Sequence, residues 1–350
     1  MELNKIKQRL ELALRPVEKP PTLEEVLEEV STRGVLRGLV DWVFPAWMLY
    51  VDYVVQKIAE SFQLTEEEKA QLLQFRHAMR RLLLDMWKQT KEKLTALHKA
   101  VVEGMFKIER GRLYAPGAWM YINANTPHIK INDISTSARF SDVLKLPHER
   151  LELFQLGWRA SDESQKKRWP DMETAQPWQV FAWVATRYGD VYIRAAMVNL
   201  THEGVSASIH IIARSWRHRW SKAEAISLVV DYLRRGEWAP LFTAWLGDGN
   251  ARWSKVLRGK YILSIAAKES WRLGLVASTY EALVATGREA FVKLREAADV
   301  YGELLDLLKA HKWTYIKLAT DDGLRVAYKL MKEREKAVLR LKESLQRIRS

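Results

Sequence analysis

Between Leu64 and Met105 the chain keeps apolar residues at helical spacing, and at Phe106 that spacing gives way to alternation. Neither an all-helical bundle nor a single β-barrel accommodates both periods, so the expected fold class is α+β. The stretch "LTEEEKAQLLQFRHAMRRLLLDMWKQTKEKLTALHKAVVEGM" reads as one long helix or a tight helical hairpin. Ahead of it, "TLEEVLEEV" follows the breaker "PVEKPP", and Thr22 with Glu25 makes a capping-box pattern. After the change, "MFKIERGRLYAPGAWMYINANTPHIKIND" has turn signals at Gly111 and Pro116-Gly117, which predicts short antiparallel strands.

A second strand region is expected in "WQVFAWVATRYGDVYIRAAMVNLTHEGVSASIHIIARSW", with turns at "YGD" and "HEG" and alternation at Val205, Ala207, Ile209 and Ile211. A helix over 221–235 follows, capped by Ser221 with Glu224 at the third position. Next come an apolar helix ending in "LGDG", a strand "KYILSIAA", more helix, the short apolar run "WTYIKLAT" and a last, strongly basic helix. Glu residues interspersed in that last helix favour a solvated face over a binding surface. No exact internal repeat and no low-complexity segment is present.

At 350 residues two domains are expected. The 56 Lys and Arg against 43 Asp and Glu give a net charge of +13, a field that favours polyanions. Without cysteine there is neither a disulfide frame nor a Cys-ligated zinc or iron-sulfur site, and the expected location is cytoplasmic. The start "MELNKIKQRLEL" is charged, with no apolar core of the secretory kind. The best membrane candidate, "LVDWVFPAWMLYVDYVV", is short, carries Asp41 and Asp52 and is interrupted by Pro45, so a buried helix pair is expected there and no membrane partner. Few Asn and Gln beside abundant Lys, Glu and Arg fit a heat-adapted source.

The stretch most suggestive of chemistry is "LFTAWLGDG", Leu241 to Gly249, where an apolar helix ends on Asp248 with a glycine on either side. Glycine is common just past a helix C-terminus. An acid there is opposed by the helix dipole unless a cation stands nearby, so Asp248 reads either as a helix end or as an acid delivered to a site. The nine residues resemble the motif of the LAGLIDADG homing endonucleases, with Leu241 first, Ala244 and Trp245 inside, and Gly247, Asp248 and Gly249 closing it. Thr243 stands where that family has Gly, which weakens close helix packing. The resemblance implies two such helices side by side with an acid at each tip, and hence a second copy.

Upstream, "QLGWRASDE", Gln155 to Glu163, aligns with Gly157 at the third position, Ser161 at the seventh and Asp162 at the acidic one. Gln155 and Arg159 replace apolar residues, and Glu163 replaces the terminal Gly. On the resemblance, Asp162 and Asp248 are catalytic and metal-binding residues. Paired carboxylates suit Mg²⁺ or another divalent cation, which neutralises phosphate charge and lowers the pKa of an attacking water. HxxxH, HExxH and EF-hand patterns are absent, and His210 and His218 are too far apart to suggest a site. Lys268 and Lys317, read as lying on or beside strands, match the basic residue that family keeps near the scissile phosphate, and Arg214 is the candidate for the first repeat.

The densest basic-aromatic cluster is "RSWRHRW". Arg214, Trp216, Arg217 and Arg219 are candidate nucleic-acid contacts with Arg252 and Lys260, although Trp216 and Trp220 equally suit a strand exit packed into the core. Over most of residues 119–274 the chain also resembles the Pyrobaculum repeat family type 2b of thermophilic archaea, on segments such as "WMYINANTPHIKIND", "ELFQLGWRASDES" and "ARSWRHRWSKAEAISLVVDYLRRGEWAPLFTAWLGDG". That implies a multicopy element and supplies no reaction.

The expected organisation is a helical domain over 1–105, short strands and a connector over 106–150, a LAGLIDADG-like DNA-binding domain of two strand-strand-helix repeats over 151–328, and a basic helix over 329–350. Three functions compete. The chain is a metal-dependent endonuclease of mobile-element origin with strands in the major groove of double-stranded DNA, or a DNA-binding module without cleavage. Otherwise it is a structural or partner-binding protein whose N-terminal helices mediate self-association.

Overall fold

The computed structural model describes residues 3–122, 126–164, 168–254, 260–266, 277–279, 282–286 and 288–321. After α1 (Leu3–Ala13), Thr22 and Glu25 cap each other's backbone N–H and open α2 (Leu23–Arg33). Then come α3 (Val40–Ser61) and α4 (Glu66–Glu103), the latter opened by the same reciprocal cap between Thr65 and Glu68 and closed by Gly104 at φ 72°. α4 runs unbroken for 38 residues, so the long periodic stretch is one helix.

The apolar segment around Pro45 is also a single helix, not the pair expected, since a proline near the start removes little of the ladder. Its two carboxylates are neutralised from α4: Asp41 accepts from Trp87 Nε1 at 2.9 Å and from Lys91, and Asp52 pairs with Arg80 and, at 3.6 Å, Arg76. Among the described residues no helix is long and apolar enough to cross a membrane.

Strands β1 (Lys107–Glu109), β2 (Arg112–Ala115), β3 (Ala118–Tyr121), β4 (His128–Lys130) and β5 (Ser135–Phe140) precede α5 (His148–Ala160), and β6 (Asp171–Thr174), α6 (Pro177–Thr186), β7 (Gly189–Thr201) and β8 (Gly204–Ala213) follow it. The strands form an antiparallel sheet in the order β1-β2-β3-β4-β7-β8-β6, with β5 also on β7. One face is apolar and buried through Leu113, Met120, Ile129, Val198, Ile193, Ile209 and Ile211. The opposite face is mostly polar, exposed at Arg139 of β5 and Arg194 of β7 and buried along β8 at Ser206, Ser208 and His210. Residues 177–186, expected in a strand region, are helix α6: every residue is buried and Pro177 starts it, and periodicity cannot separate a wholly apolar short helix from a buried strand.

Next come α7 (Lys222–Arg234), capped by Ser221 and Glu224, then α8 (Ala239–Asp248), β9 (Gly249–Ser254), β10 (Lys260–Ala266), β11 (Ala277–Thr279), β12 (Ala282–Thr286), α9 (Arg288–Ala298), α10 (Val300–Leu307) and α11 (His311–Asp321). The four strands make an antiparallel sheet in the order β11-β12-β10-β9. The run "WTYIKLAT" lies within α11, which buries Trp313, Ile316 and Ala319 at helical spacing. Leu156 and Ala160 of α5 form a core with Ala225, Ile226, Val229, Val230 and Leu233 of α7 and with Leu241 and Ala244 of α8.

By contact density the chain makes two units, each discontinuous: Met1–Val143 with Asp171–Ser215, and Leu144–Pro170 with Trp216–Ser350. The boundaries thus fall where no linker composition marks them, rather than at 105. The class is mixed helix and antiparallel sheet. A similar strand order occurs twice along the chain, with one added element in each case. After α5 come β6, the helix α6, β7 and β8, the strands in spatial order β6-β8-β7, and then α7; after α8 and the added strand β9 come β10, β11 and β12 in spatial order β10-β12-β11 and then α9.

Candidate functional site

Helices α5 and α8 lie against each other along their lengths, and glycines set how closely. A Cβ built on Gly157 would lie 2.1 Å from Pro240 O and from Thr243 Oγ1. Only glycine fits there. Thr243 does not hold the helices apart, as its bulk suggested, because its hydroxyl faces Gly157 and donates to Phe154 O of the other helix at 2.9 Å. At the C-terminal ends a Cβ on Gly247 would lie 2.8 Å from Ser161 Cβ and 3.3 Å from Asp162 Cγ. The two tips are therefore in contact, with Asp162 following one and Asp248 ending the other.

Residues departing from the motif pattern are accommodated in place. Buried Arg159 donates from Nε to Trp220 O at 2.9 Å and from Nη1 to Ser164 O at 2.5 Å, and its Nη1 lies 3.3 Å from His218 Nε2. Glu163, fully buried, lies 3.6 Å from His218 Nδ1. Polar groups so enclosed require such partners.

Each helix end meets a lysine. Lys222, first residue of α7, donates to Ser161 O and, at 3.4 Å, to Glu163 O beyond the end of α5. Lys312 of α11 is 8% exposed and donates to Leu246 O at 2.7 Å and to Gly247 O at the end of α8. α11 is anchored by Trp313 against Phe242, with ring centroids 5.8 Å apart; α10 is anchored by Tyr301, which packs on Phe154 and accepts from Trp158 Nε1 at 3.3 Å. An ammonium among terminal carbonyls opposes the negative end of the helix dipole. Burial pushes Lys312 down to about 8, while Asp162 and Asp248 pull the other way. The cation that makes an acid at this helix end tolerable is thus supplied by the chain itself.

Whether the tips suit a divalent cation follows from the same groups. Among the described residues no cluster of three or more His, Asp or Glu gathers, and an ammonium stands within electrostatic reach of both carboxylates. Two acids with a resident cation fit a dication poorly, because the positive charges compete for the same negative ones.

The other candidates scatter. Lys317 lies on helix α11, not on a strand, and pairs with Asp306. Lys268 and the C-terminal basic helix lie outside the described residues. Arg252 is on β9 opposite Ile262, and Lys260 opens β10 opposite Ser254. The "RSWRHRW" cluster is divided between the units: Arg214 falls in the first, Trp216 to Trp220 in the second. Arg217 is exposed, Trp216 half-buried, and Trp220 packs on the α5/α7/α8 core. Arg219 pairs with Glu152 and reaches His148 Nε2 at 3.3 Å.

Arg214 is exposed and places its guanidinium 4.5 Å from the ring centroid of Tyr192 on β7. Its neighbours on the polar sheet face were not singled out in the sequence. Arg194 and Tyr192 share that face of β7, and Arg139 of β5 pairs in register with Asp190 two residues before Tyr192. Arg139 and Arg194 are exposed. The available signal was the polar half of the alternation in "DVYIR". His210, set aside as too far from His218 to suggest a site, lies buried between Arg194, whose Nε donates to its Nδ1 at 2.6 Å, and Asp171, 2.6 Å from its Nε2. The arginine bond places the imidazole proton on Nε2, so the ring donates to Asp171.

No known protein family, characterised protein or solved structure matches this chain.

Proposed function

We propose that the chain is a DNA-binding protein built on a LAGLIDADG-like core, with double-stranded DNA as its partner and the cytoplasm as its place of action. The observation that carries the reading is the apposition of two helix tips, each with an aspartate, at glycines that admit no side chain. The strand order repeated after each helix supports it, since such a core requires two copies of one unit. Arg139, Arg194 and Arg214, presented at exposed positions in the first unit, supply cations for backbone phosphates.

Lys312 sets binding ahead of cleavage. A second reading, a metal-dependent endonuclease of mobile-element origin, draws on the same tips: Asp162 and Asp248 would hold Mg²⁺, which neutralises phosphate charge and acidifies a bound water. Incubation of the full chain with supercoiled plasmid, with and without Mg²⁺, separates the two. Retention of DNA without strand breaks supports the binding protein. Breaks that need Mg²⁺ and vanish in Asp248→Asn support the nuclease, and failure to retain DNA at low salt removes both.

A further inference from the structure

The polar face of the sheet changes character on β2, β3 and β4. Arg112 and Tyr114 of β2 pair in register with Tyr121 and Trp119 of β3, and Tyr121 pairs with His128 of β4, so these side chains share one face. Their rings form a continuous row. Tyr114 and Trp119 centroids are 6.4 Å apart, Trp119 and Tyr121 4.9 Å, and Tyr121 stacks on His128 at 4.7 Å. Two cations lie over the row: the Arg112 guanidinium is 5.0 Å from the Trp119 ring and 4.9 Å from that of Tyr121, and Lys130 Nζ is 5.6 Å from Tyr121. All four rings are half-exposed, and Lys130 is exposed.

Core formation does not account for this row, because Leu113, Met120 and Ile129 already fill the opposite face. A sheet face turned to water needs only polar residues. The surrounding charge is one-sided: over 107–130 the sequence carries Lys107, Arg110, Arg112 and Lys130 against Glu109 alone, and Lys107 lies 2.9 Å from Glu109. Flat π-faces set among cations match unpaired bases joined by a phosphate backbone. Duplex DNA offers no exposed base face to such a row.

We propose that Tyr114, Trp119, Tyr121 and His128, with Arg112 and Lys130, form a stacking platform for single-stranded nucleic acid. The site goes beyond the duplex reading and does not rest on it. Bases stack on the row at Trp119 and Tyr121 in place of the Arg112 guanidinium, which turns from the rings and, with Lys130, holds the phosphates. Sequence preference is weak, since every base presents a π-face.

The test uses the full chain with fluorescein-labelled oligo(dT) and oligo(U) of about twelve nucleotides, within the span such platforms cover. Anisotropy is expected to show binding of the single strand, weakened about ten-fold or more in Trp119→Leu and comparably in Tyr121→Leu. Lys130→Gln, at an exposed site, is expected to flatten the salt dependence without altering the fold. Irradiating the unmodified chain with a 5-bromouracil-substituted strand is expected to attach it to the peptide holding Trp119 and Tyr121, a readout that no variant's folding affects. Equal affinity for dT and U strands assigns the platform to either nucleic acid, and a preference names which. Absence of single-strand binding, or attachment only outside residues 112–130, overturns the proposal. A chain that binds the single strand but not duplex keeps this inference and loses the preceding one.

Discussion

Replacing Lys312 by methionine tests the electrostatics of the helix tips through the pH dependence of stability. The ammonium is enclosed, and its pKa falls from 10.5 to about 8 on folding because burial outweighs the pull of Asp162 and Asp248. Between those values the unfolded chain holds a proton that the folded chain has released, so stability rises with pH across that window. Below about pH 8 the penalty for burying the charge is present in full; above about pH 10.5 it is gone. At 1.36 kcal/mol per pKa unit the rise is about 3 kcal/mol. A methionine side chain fills the space of the lysine stem without a titrating group, so the Lys312→Met variant lacks this component. Urea denaturation of both proteins from neutral to high pH, taken as the difference between them, cancels every other lysine and tyrosine. The stability of the unmodified chain relative to the variant is expected to rise by about 3 kcal/mol, or at least ~1 M in urea midpoint, from the lower to the upper end of that window. Parallel curves would refute the placement of this ammonium.

Gly157→Ala drives a methyl against backbone and hydroxyl 2.1 Å away on α8, so the helices must separate, costing about 1–3 kcal/mol in a denaturation experiment. Ser161→Cys with Gly247→Cys puts the only two cysteines of the chain where the native Cβ and the built Cβ are 2.8 Å apart, and mild oxidation should join them after a small local shift, visible as a free-thiol loss. His210→Ala removes the 2.6 Å bond to the carboxylate of Asp171, buried at 3% exposure, and should cost about 3 kcal/mol. An unchanged midpoint would show that Asp171 is satisfied without the imidazole. Arg194→Gln should weaken duplex binding across unrelated sequences and reduce the slope of log affinity against log salt by about one.

How far the sequence revealed this depends on whether a signal is local. Capping boxes at Thr22 and Ser221 are local, since cap and third residue meet whatever lies beyond, and both open helices in the structure; Thr65, not singled out in the sequence, opens α4 the same way. Two runs misled. In "PWQVFAWVAT" every residue is buried, and burial on all faces erases the period that tells helix from strand; "WTYIKLAT" keeps Trp313, Ile316 and Ala319 at helical spacing, but eight residues are too few to set that spacing apart from a strand. The tips of α5 and α8 were legible because their glycines and acids stand at fixed positions in a short motif. Lys312 was not, because it arrives from 64 positions beyond Asp248 on a helix whose sequence says nothing of where its cation goes. The aromatic row escaped notice for the same reason: Tyr114, Trp119, Tyr121 and His128 become neighbours only through strand register.

The most direct test of the DNA-binding account is the affinity of the full chain for a labelled duplex, without divalent cation, as salt is raised. With Arg139, Arg194 and Arg214 each meeting a phosphate, affinity should fall roughly forty-fold between about 50 and 200 mM salt. Affinity that does not change over that range, or no retention of duplex at its lower end, would contradict the account.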